Sequence, residues 1–350
     1  MIFIKGNRMA DKYFSKEFCD TNSLRSDYEN SLREFIEKEC KATKTEREQN
    51  MSPKKYYANP QEFRNKFIDM LGFPLTKPIA LPKLISKQFM ASDKNVNIYQ
   101  MQFEVLGAIK FFGLYFEQVA DKEKAPFVMA FHGKEGTPEV CSSIYMDSSN
   151  YNHMVRRATD RGANVFVPQN LIWSKKHYKE DYNRELLNAK LRQIGGSMTA
   201  MEVYISSSIL SYFIQFENIN EQRIGALGLS YGGMYTIYFS AFDQRVKSSF
   251  SCSWFSDTNG HTFDDWCYQN ALKTFGNAQV AALVCPRTLA IAMGDKDQIF
   301  SSTGTIEEGN ILKEFYKEFG KEENLLFYTF DGVHEFDTGD KGIDFMFNNL

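Results

Sequence analysis

Ser230, Asp297 and His334 are residues of the types that carry nucleophilic catalysis, and they occur in that order along the second half of the chain. A serine hydroxyl is a weak nucleophile unless a base removes its proton, and the base needs a third group to orient it. Ser230 lies in the sequence Gly-Leu-Ser-Tyr-Gly (residues 228–232), within an apolar run that begins at residue 224. Glycines two positions before and after a serine permit the sharp turn that lifts its hydroxyl off the end of a strand. This spacing predicts that Ser230 lies between a strand and the N-terminus of a helix, where N–H groups favour a developing anion.

The candidate base and acid each follow a later apolar run. His334 lies in the loop after residues 325–330, and loops at the carboxyl ends of parallel strands face the ligand site. Asp295 and Asp297 follow a second such run, and Asp257 follows the run before that one. We predict Asp297 as the acid, because a turn of the form G-x-x-D lets the carboxylate point back toward the histidine. Asp295 would more often cap the turn, and Asp257 remains an alternative position for the acid.

Acyl transfer also needs two N–H donors for the negative oxygen that forms in the transition state. We predict the amide of Tyr231, directly after the serine, as one donor. The second should come from the loop His-Gly-Lys-Glu-Gly (residues 132–136), at Lys134 or at Glu135.

Three aromatic residues are candidates for the walls of a substrate pocket: Trp173, Trp254 and Phe255. Aromatic residues make up 15% of the chain, so these side chains are equally expected in the core. Both interpretations stay open at this point.

Strands alternate with helices over most of the chain, which predicts a mainly parallel sheet covered by helices on both faces. An antiparallel pair is expected at one edge, from residues 96–105 and 111–116 joined by a turn. The other predicted strands are short apolar runs at 126–131, 164–167, 224–229, 246–254, 288–293 and 325–330. The predicted helices of this region cover 151–161, 187–216 with an interruption at Gly195-Gly196, 306–319 and 342–349.

Residues 1–60 are predicted as a helical N-terminal extension and residues 61–350 as the catalytic domain. Within 11–50, apolar residues recur at helical spacing, which predicts an amphipathic helix that packs on the main body or on a second subunit. The stripe consists of Leu24, Tyr28, Leu32, Phe35 and Ile36. Residues 51–60 are interpreted as a linker, and a short helix with Phe63 and Phe67 on one face should end at Gly72.

The composition of the 350 residues is that of an ordinary globular protein, with 43% hydrophobic and 24% charged residues. The net charge of −3, without a lysine or arginine cluster, argues against nucleic acid as a partner. No apolar run approaches the roughly 18 residues of a spanning helix, so no membrane association is expected. The six cysteines form no C-x-x-C pair, which favours reduced, buried thiols in a cytoplasmic protein.

Three stretches together resemble the α/β-hydrolase superfamily: residues 223–233 around the serine, 282–297 around the acid, and Val-His-Glu-Phe at 333–336. The resemblance is closest to the branch of dienelactone hydrolases and acetyl xylan esterases, near the catalytic domain of prolyl oligopeptidases. It covers about residues 60–350 and implies a serine hydrolase without a metal or organic cofactor. Relatives often cleave acyl esters, acetylated sugars included. The loop at 132–136 is less rich in glycine than in lipases, which leaves the second oxyanion donor open.

Together these features predict a carboxylic ester hydrolase that acts on a small or medium substrate through an acyl-enzyme. The prolyl-oligopeptidase kind of serine peptidase is one alternative, although about 95 N-terminal residues are too few for its gating domain. A binding protein that keeps the fold without catalysis is the other, and the complete set of serine, aspartate and histidine argues against it. Self-association is also left open.

Overall fold

In the part of the chain that the structure describes, the sheet at the centre of the fold has nine strands, in the order β1-β2-β3-β5-β4-β6-β7-β8-β9. The computed structural model describes residues 21–119, 124–144, 150–257 and 263–350. The strands are β1 (Lys83–Asp93), β2 (Val96–Val105), β3 (Ile109–Gln118), β4 (Ala125–Phe131), β5 (Asn164–Pro168), β6 (Ile219–Leu229), β7 (Ser248–Cys252), β8 (Thr288–Gly294) and β9 (Leu325–Phe330). The six strands from β5 to β9 in this order run parallel, and β1, β2 and β3 add an antiparallel edge.

Most of the parallel strands are buried along their whole length. Every residue of β4, β5, β7 and β8 is buried, including the three serines of β7. The sequences of β4 and β8 are almost entirely apolar, as is typical of strands covered on both faces. Because parallel strands end at the same edge of a sheet, the loops after β4, β6, β8 and β9 meet on one side of the molecule. These loops contain the residues expected to carry the chemistry.

Helices cover both faces of the sheet, as the alternating pattern predicts. The helices before the sheet are α1 (Asn22–Asn50), α2 (Pro53–Ala58) and α3 (Pro60–Leu71). The helices that follow are α4 (Pro138–Cys141), α5 (Met154–Thr159), α6 (Lys175–Tyr178), α7 (Arg184–Gln193), α8 (Met198–Phe216), α9 (Tyr231–Phe242), α10 (Asn277–Ala282), α11 (Ser302–Glu318) and α12 (Lys341–Asn348). Helices α8 and α9 contribute to the larger core on one face, and α5 and α12 to the smaller core on the other.

The fold confirms the predicted strands and the break between α7 and α8 at Gly195-Gly196. Two expectations were incomplete. Residues 51–60 are no linker, because they form α2 and the start of α3, with the Tyr56 side chain fully buried. The strand β1 was not predicted at all. Residues 11–20 of the predicted N-terminal helix lie outside the described residues.

Within the described residues, no helix is both long enough and apolar enough to cross a membrane.

Candidate active site

Ser230 occupies the tight turn between β6 and α9, with φ 59° and ψ −122°. The glycines two positions before and after it are required, because neither position has room for a side chain. A Cβ at Gly228 would lie 2.3 Å from the carbonyl oxygen of Gly232, and a Cβ at Gly232 would lie 2.0 Å from that of Phe131. The Ser230 amide donates to the Cys252 carbonyl at 2.9 Å, which ties the turn to the neighbouring strand. The strained backbone is therefore held in place from both sides, as is typical of functional sites.

The imidazole of His334 and the carboxylate of Asp297 form a hydrogen bond of 2.9 Å between Nδ1 and Oδ2. A carboxylate only accepts, so Nδ1 is the donor in this bond, and in the tautomer of the neutral imidazole that this requires Nε2 is the acceptor. The Asp297 side chain is 1% exposed, and its other oxygen accepts from the amides of Ile299 and Phe300. Asp297 is thus fixed by the chain that follows it and directed at the histidine.

The two alternative carboxylates have other positions. Asp295 is exposed and accepts from the amide of Gly332 at 3.2 Å, so it joins the loop after β8 to the loop of the histidine. Asp257 lies against Gly304 at the start of α11 and lines a different cavity from His334. Of the three candidates, only Asp297 contacts the imidazole within the described residues.

Ser230 and His334 line the same cavity, which has a volume of about 190 Å³. Among the residues that the structure describes, the Ser230 hydroxyl has no hydrogen-bond partner. The serine and the imidazole therefore face the same cavity without a hydrogen bond between them. The histidine loop is held in turn by the Ser253 hydroxyl, which donates to the carbonyl of Glu335 at 2.7 Å.

Two backbone amides beside the serine have no acceptor among the described residues, those of Tyr231 and Lys134. The amide of Glu135, the alternative to Lys134, donates to the carbonyl of Ile172 at 2.7 Å and is not available. Gly133 brings the loop against the nucleophile, because a Cβ there would lie 3.3 Å from Cβ of Ser230. Tyr231 and Lys134 both line the cavity, so their amides are on the same side as the serine.

His132 lies beneath this loop and is completely buried. Its Nδ1 contacts the Gly133 carbonyl at 2.9 Å, and its Nε2 accepts from the Asn170 amide at 3.1 Å. Burial lowers the pKa of the imidazole to about 4, so it is neutral at ordinary pH. Neutral histidine has one donor and one acceptor, which is the pair that these two contacts require.

The cavity walls differ from the expected ones. Besides Leu229 and Tyr231 next to the serine, the aromatic and aliphatic residues that line it are Tyr151, Phe263, Trp266, Ile299 and Phe300. Trp254 and Phe255 are buried in the core, with Trp254 packed behind Trp266 at 6.1 Å between ring centroids. The ring of Trp173 packs against that of Tyr182 at 4.6 Å between centroids, tilted by 59°, and lines a separate cavity. The sequence gives no signal for Trp266 or Phe300, since neither is placed by a motif.

A second cavity of about 320 Å³ adjoins the first, and Lys134, Tyr231 and Phe263 line both. Its other walls combine the ring of Tyr182 with polar side chains: Lys175, Asn183, Arg184, Glu185, Asp264 and Asp265. The two oxyanion candidates therefore stand at the junction of a small cavity and a larger polar one.

A mainly parallel sheet, a serine in a tight strand-to-helix turn, and the chain order serine, aspartate, histidine define an α/β-hydrolase. The sequence profile of one family, acetyl xylan esterase (AXE1), matches residues 80–257. This is half of the chain, and the protein belongs to this family of carboxylic ester hydrolases. The match contains Ser230 and the loop at 132–136, whereas Asp297 and His334 lie beyond it. No curated protein matches the chain.

Several solved structures share the fold. A glucuronoyl esterase from Solibacter usitatus has a TM-score of 0.61 at 14% identity, covering 85% of this chain and 93% of that one. A glucuronoyl esterase from Teredinibacter turnerae T7901 has a TM-score of 0.60 at 13% identity, covering 85% of each chain. Acetyl xylan esterase 1 from Thermoanaerobacterium sp. JW/SL YS485 has a TM-score of 0.54 at 14% identity, covering 82% of this chain and 92% of that one. At these identities the likeness concerns the fold alone.

Proposed function

We propose that this protein removes small acyl groups, acetyl above all, from sugar esters through an acyl-enzyme on Ser230. The observation that carries this proposal is the His334–Asp297 pair on the wall of the cavity that also contains Ser230. Nε2 of His334 takes the proton of the serine as Oγ attacks the ester carbonyl carbon. The same proton then passes to the leaving alcohol oxygen as the ester bond breaks. Water repeats the sequence on the acyl-enzyme, releases the carboxylic acid and restores the serine.

The amides of Tyr231 and Lys134 stabilise the negative oxygen of both tetrahedral intermediates. Neither amide has a partner among the described residues, and both border the cavity of Ser230. Tyr231 is the first residue of α9, so the helix dipole adds to the effect of its N–H group. Each such donor contributes about 3 kcal/mol to the stabilisation of a transition state.

The two adjoining cavities match the two parts of such a substrate, the acyl group and the sugar. The cavity of about 190 Å³ around Ser230 suits a short acyl group. The larger one offers the rings of Tyr182 and Phe263 together with charged and amide side chains, a combination that suits a sugar ring with its hydroxyl groups. The name of the family, acetyl xylan esterase, agrees with an acetylated sugar as the substrate.

Acetate release from acetylated xylo-oligosaccharides tests the proposal, with p-nitrophenyl acetate as a substrate that lacks the sugar. Ser230→Ala should abolish both activities and also labelling by a fluorophosphonate, which reacts with activated serines. Ser31→Ala, an exposed serine on α1, is the matched control and should keep all three. A folded wild-type protein that neither reacts with the fluorophosphonate nor releases acetate would refute the proposal.

We also propose residues 1–60 as an extension that joins two copies of the chain. The first five turns of α1 are exposed, including Leu24, Tyr28 and Phe35 at 60–70%. Its attachment is at the other end, where Arg47 Nη1 donates to the carbonyl of Leu272 at 3.1 Å. Because helices in proteins are stabilised mainly by the packing of an apolar face, we expect another surface to cover this stripe.

A second copy fits this stripe in an antiparallel arrangement. Pairing Leu24 with Ile36 of the other copy also sets Tyr28 opposite Leu32 and brings Asp27 opposite Arg33. The stripe offers roughly 600 Å² per chain, which reaches the lower bound of a specific interface. Sedimentation of the full chain should show a dimer in the wild type and a monomer in Leu32→Glu, which places a charge opposite Tyr28 of the other copy. A wild type that stays monomeric at concentrations of about 100 μM would exclude this assembly.

A cytoplasmic location is proposed from the cysteines. Cys40, Cys141, Cys252, Cys267 and Cys285 are free thiols, and Cys19 lies outside the described residues. Free thiols persist in a reducing compartment. Fractionation of the source cells tests this location.

A further inference from the structure

A buried ionic cluster lies behind the two oxyanion amides. It consists of Arg184 on α7, Glu202 on α8 and Asp265 in the short 3₁₀ helix Asp264–Trp266. The guanidinium donates Nη2 to Glu202 Oε2 at 2.8 Å and Nε to Asp265 Oδ2 at 2.7 Å. All three side chains are less than a tenth exposed. Charged groups are seldom buried to this degree, so the cluster needs an explanation.

Asp265 connects the cluster to Tyr231 by a hydrogen bond. The phenol of Tyr231 donates to Asp265 Oδ1 at 2.9 Å, while the other oxygen of the same carboxylate accepts from Arg184. Tyr231 is 4% exposed and supplies the first oxyanion amide from its own backbone. The side chain is therefore anchored at its far end, and the first turn of α9 cannot rotate away from the site.

Glu202 and Arg184 connect the cluster to the loop of Lys134 through the backbone of residues 171 and 172. Glu202 Oε1 accepts from the amide of Leu171 at 2.7 Å, and Arg184 Nη1 donates to the carbonyl of the same residue at 3.4 Å. The next carbonyl, that of Ile172, accepts from the Glu135 amide at 2.7 Å. This bond fixes the peptide that follows Lys134 and so holds this part of the loop beside the cavity of Ser230.

We propose that Arg184 is a positioning residue that holds both halves of the oxyanion hole at once. This inference rests on the proposed function. The two amides come from loops after different strands, β4 and β6, and a rigid frame must fix the distance between them. A planar guanidinium with several donors in a fixed geometry can bind two carboxylates in one arrangement, and a lysine ammonium cannot. Preorganised donors are what makes an oxyanion hole effective, because they need no reorganisation as charge develops.

The charges within the cluster agree with this role. Burial lowers the pKa of the Arg184 guanidinium, but Glu202, Asp265 and the phenol of Tyr235, which accepts from Arg184 Nη2 at 2.7 Å, outweigh burial and hold that pKa well above its usual range. The guanidinium at the centre of the cluster therefore stays charged.

Arg184→Lys tests the proposal, with Arg192→Lys as the matched control. Arg192 lies on the same helix and pairs with Asp264, the neighbour of Asp265, but it reaches neither Tyr231 nor Leu171. The assays are kcat and KM for p-nitrophenyl acetate and the inhibition constant of a trifluoromethyl ketone, which adds to the serine and places an oxyanion in the hole. We expect Arg184→Lys to lower kcat by about 10- to 100-fold with KM within about threefold, and to weaken the ketone by the same factor as kcat. Arg192→Lys should stay within about twofold of the wild type.

Tyr231→Phe provides a second test that does not depend on the folding of Arg184→Lys. It removes only the hydrogen bond to Asp265 and should lower kcat and weaken the ketone in parallel, by about 3- to 10-fold. A cluster that serves stability alone would lower the melting temperature of these variants but leave the ketone affinity of the folded protein unchanged. Unchanged kcat and ketone affinity in folded Tyr231→Phe, with an active wild type, would overturn this proposal alone. A wild type without turnover or ketone binding would overturn the proposed function as well.

Discussion

Acidification from about pH 7.5 to about pH 5 should lower the free energy of unfolding by about 2 kcal/mol through His132 alone. In the unfolded chain this histidine has a pKa near 6.5, whereas burial lowers the pKa in the folded protein to about 4. Between these values the unfolded state binds more protons, so stability falls as the pH falls. The contribution is fully present above 6.5 and is lost as the pH approaches 4. Over the whole window it amounts to about 3 kcal/mol.

Urea unfolding at the two pH values measures this difference, in the wild type and in His132→Asn. Other groups that titrate in the window, such as carboxylates, are common to both proteins and cancel in the comparison. The loss of stability between the two pH values should therefore be about 2 kcal/mol smaller in the variant. His153→Asn is the matched control, because His153 is exposed and has the left-handed backbone conformation that asparagine tolerates. If His132→Asn and the wild type lost the same stability, the reasoning from burial would be refuted.

Three further predictions concern the site and its support. Asp297→Asn should lower kcat by about 10³- to 10⁴-fold with little change in KM, whereas Asp295→Asn should stay within about tenfold; equal effects in steady-state kinetics would contradict the assignment of the acid. Gly232→Ala should abolish turnover and lower the free energy of unfolding by about 3 kcal/mol, because its Cβ would lie 2.0 Å from the Phe131 carbonyl oxygen. Gly320→Ala, with a positive φ but open space around it, should cost only about 1 kcal/mol in the same denaturation experiment. Tyr56→Ala should cost about 4 kcal/mol, since its ring is fully buried between Phe63 and Phe315; a cost below about 1 kcal/mol would mean that α2 contributes little to the core.

The parts of the site that depend on local chain geometry could be predicted from the sequence. The turn around Ser230 follows from two glycines at fixed spacing, and the choice of Asp297 over Asp295 follows from the shape of a short turn. The parallel strands were predictable because buried strands read as apolar runs between turn residues. In each case the information is contained within a few neighbouring residues.

The parts that depend on distant contacts could not be predicted. The strand β1 lacks a regular alternation because its register shifts at two places, between Leu84 and Ser86 and between Phe89 and Ala91. Helix α2 is six residues long and is fixed by the burial of Tyr56, not by its own periodicity. Arg184, Glu202 and Asp265 come from three separate segments, and no sequence motif predicts that they are in contact. The same holds for Trp266 and Phe300, which line the cavity in place of the aromatic residues expected there.

The position of β9 at the edge of the sheet has a consequence for heat inactivation. Among the residues that the structure describes, this strand pairs only with β8, and its own residues are half-buried or exposed. By contrast, β6, which leads to Ser230, lies in the middle of the sheet. Edge strands fray at a lower free energy than central ones, and fraying here would carry the imidazole away from an intact serine turn. Ester turnover should therefore disappear on warming before the bulk of the chain melts, and recover on cooling as long as the remaining strands stay paired.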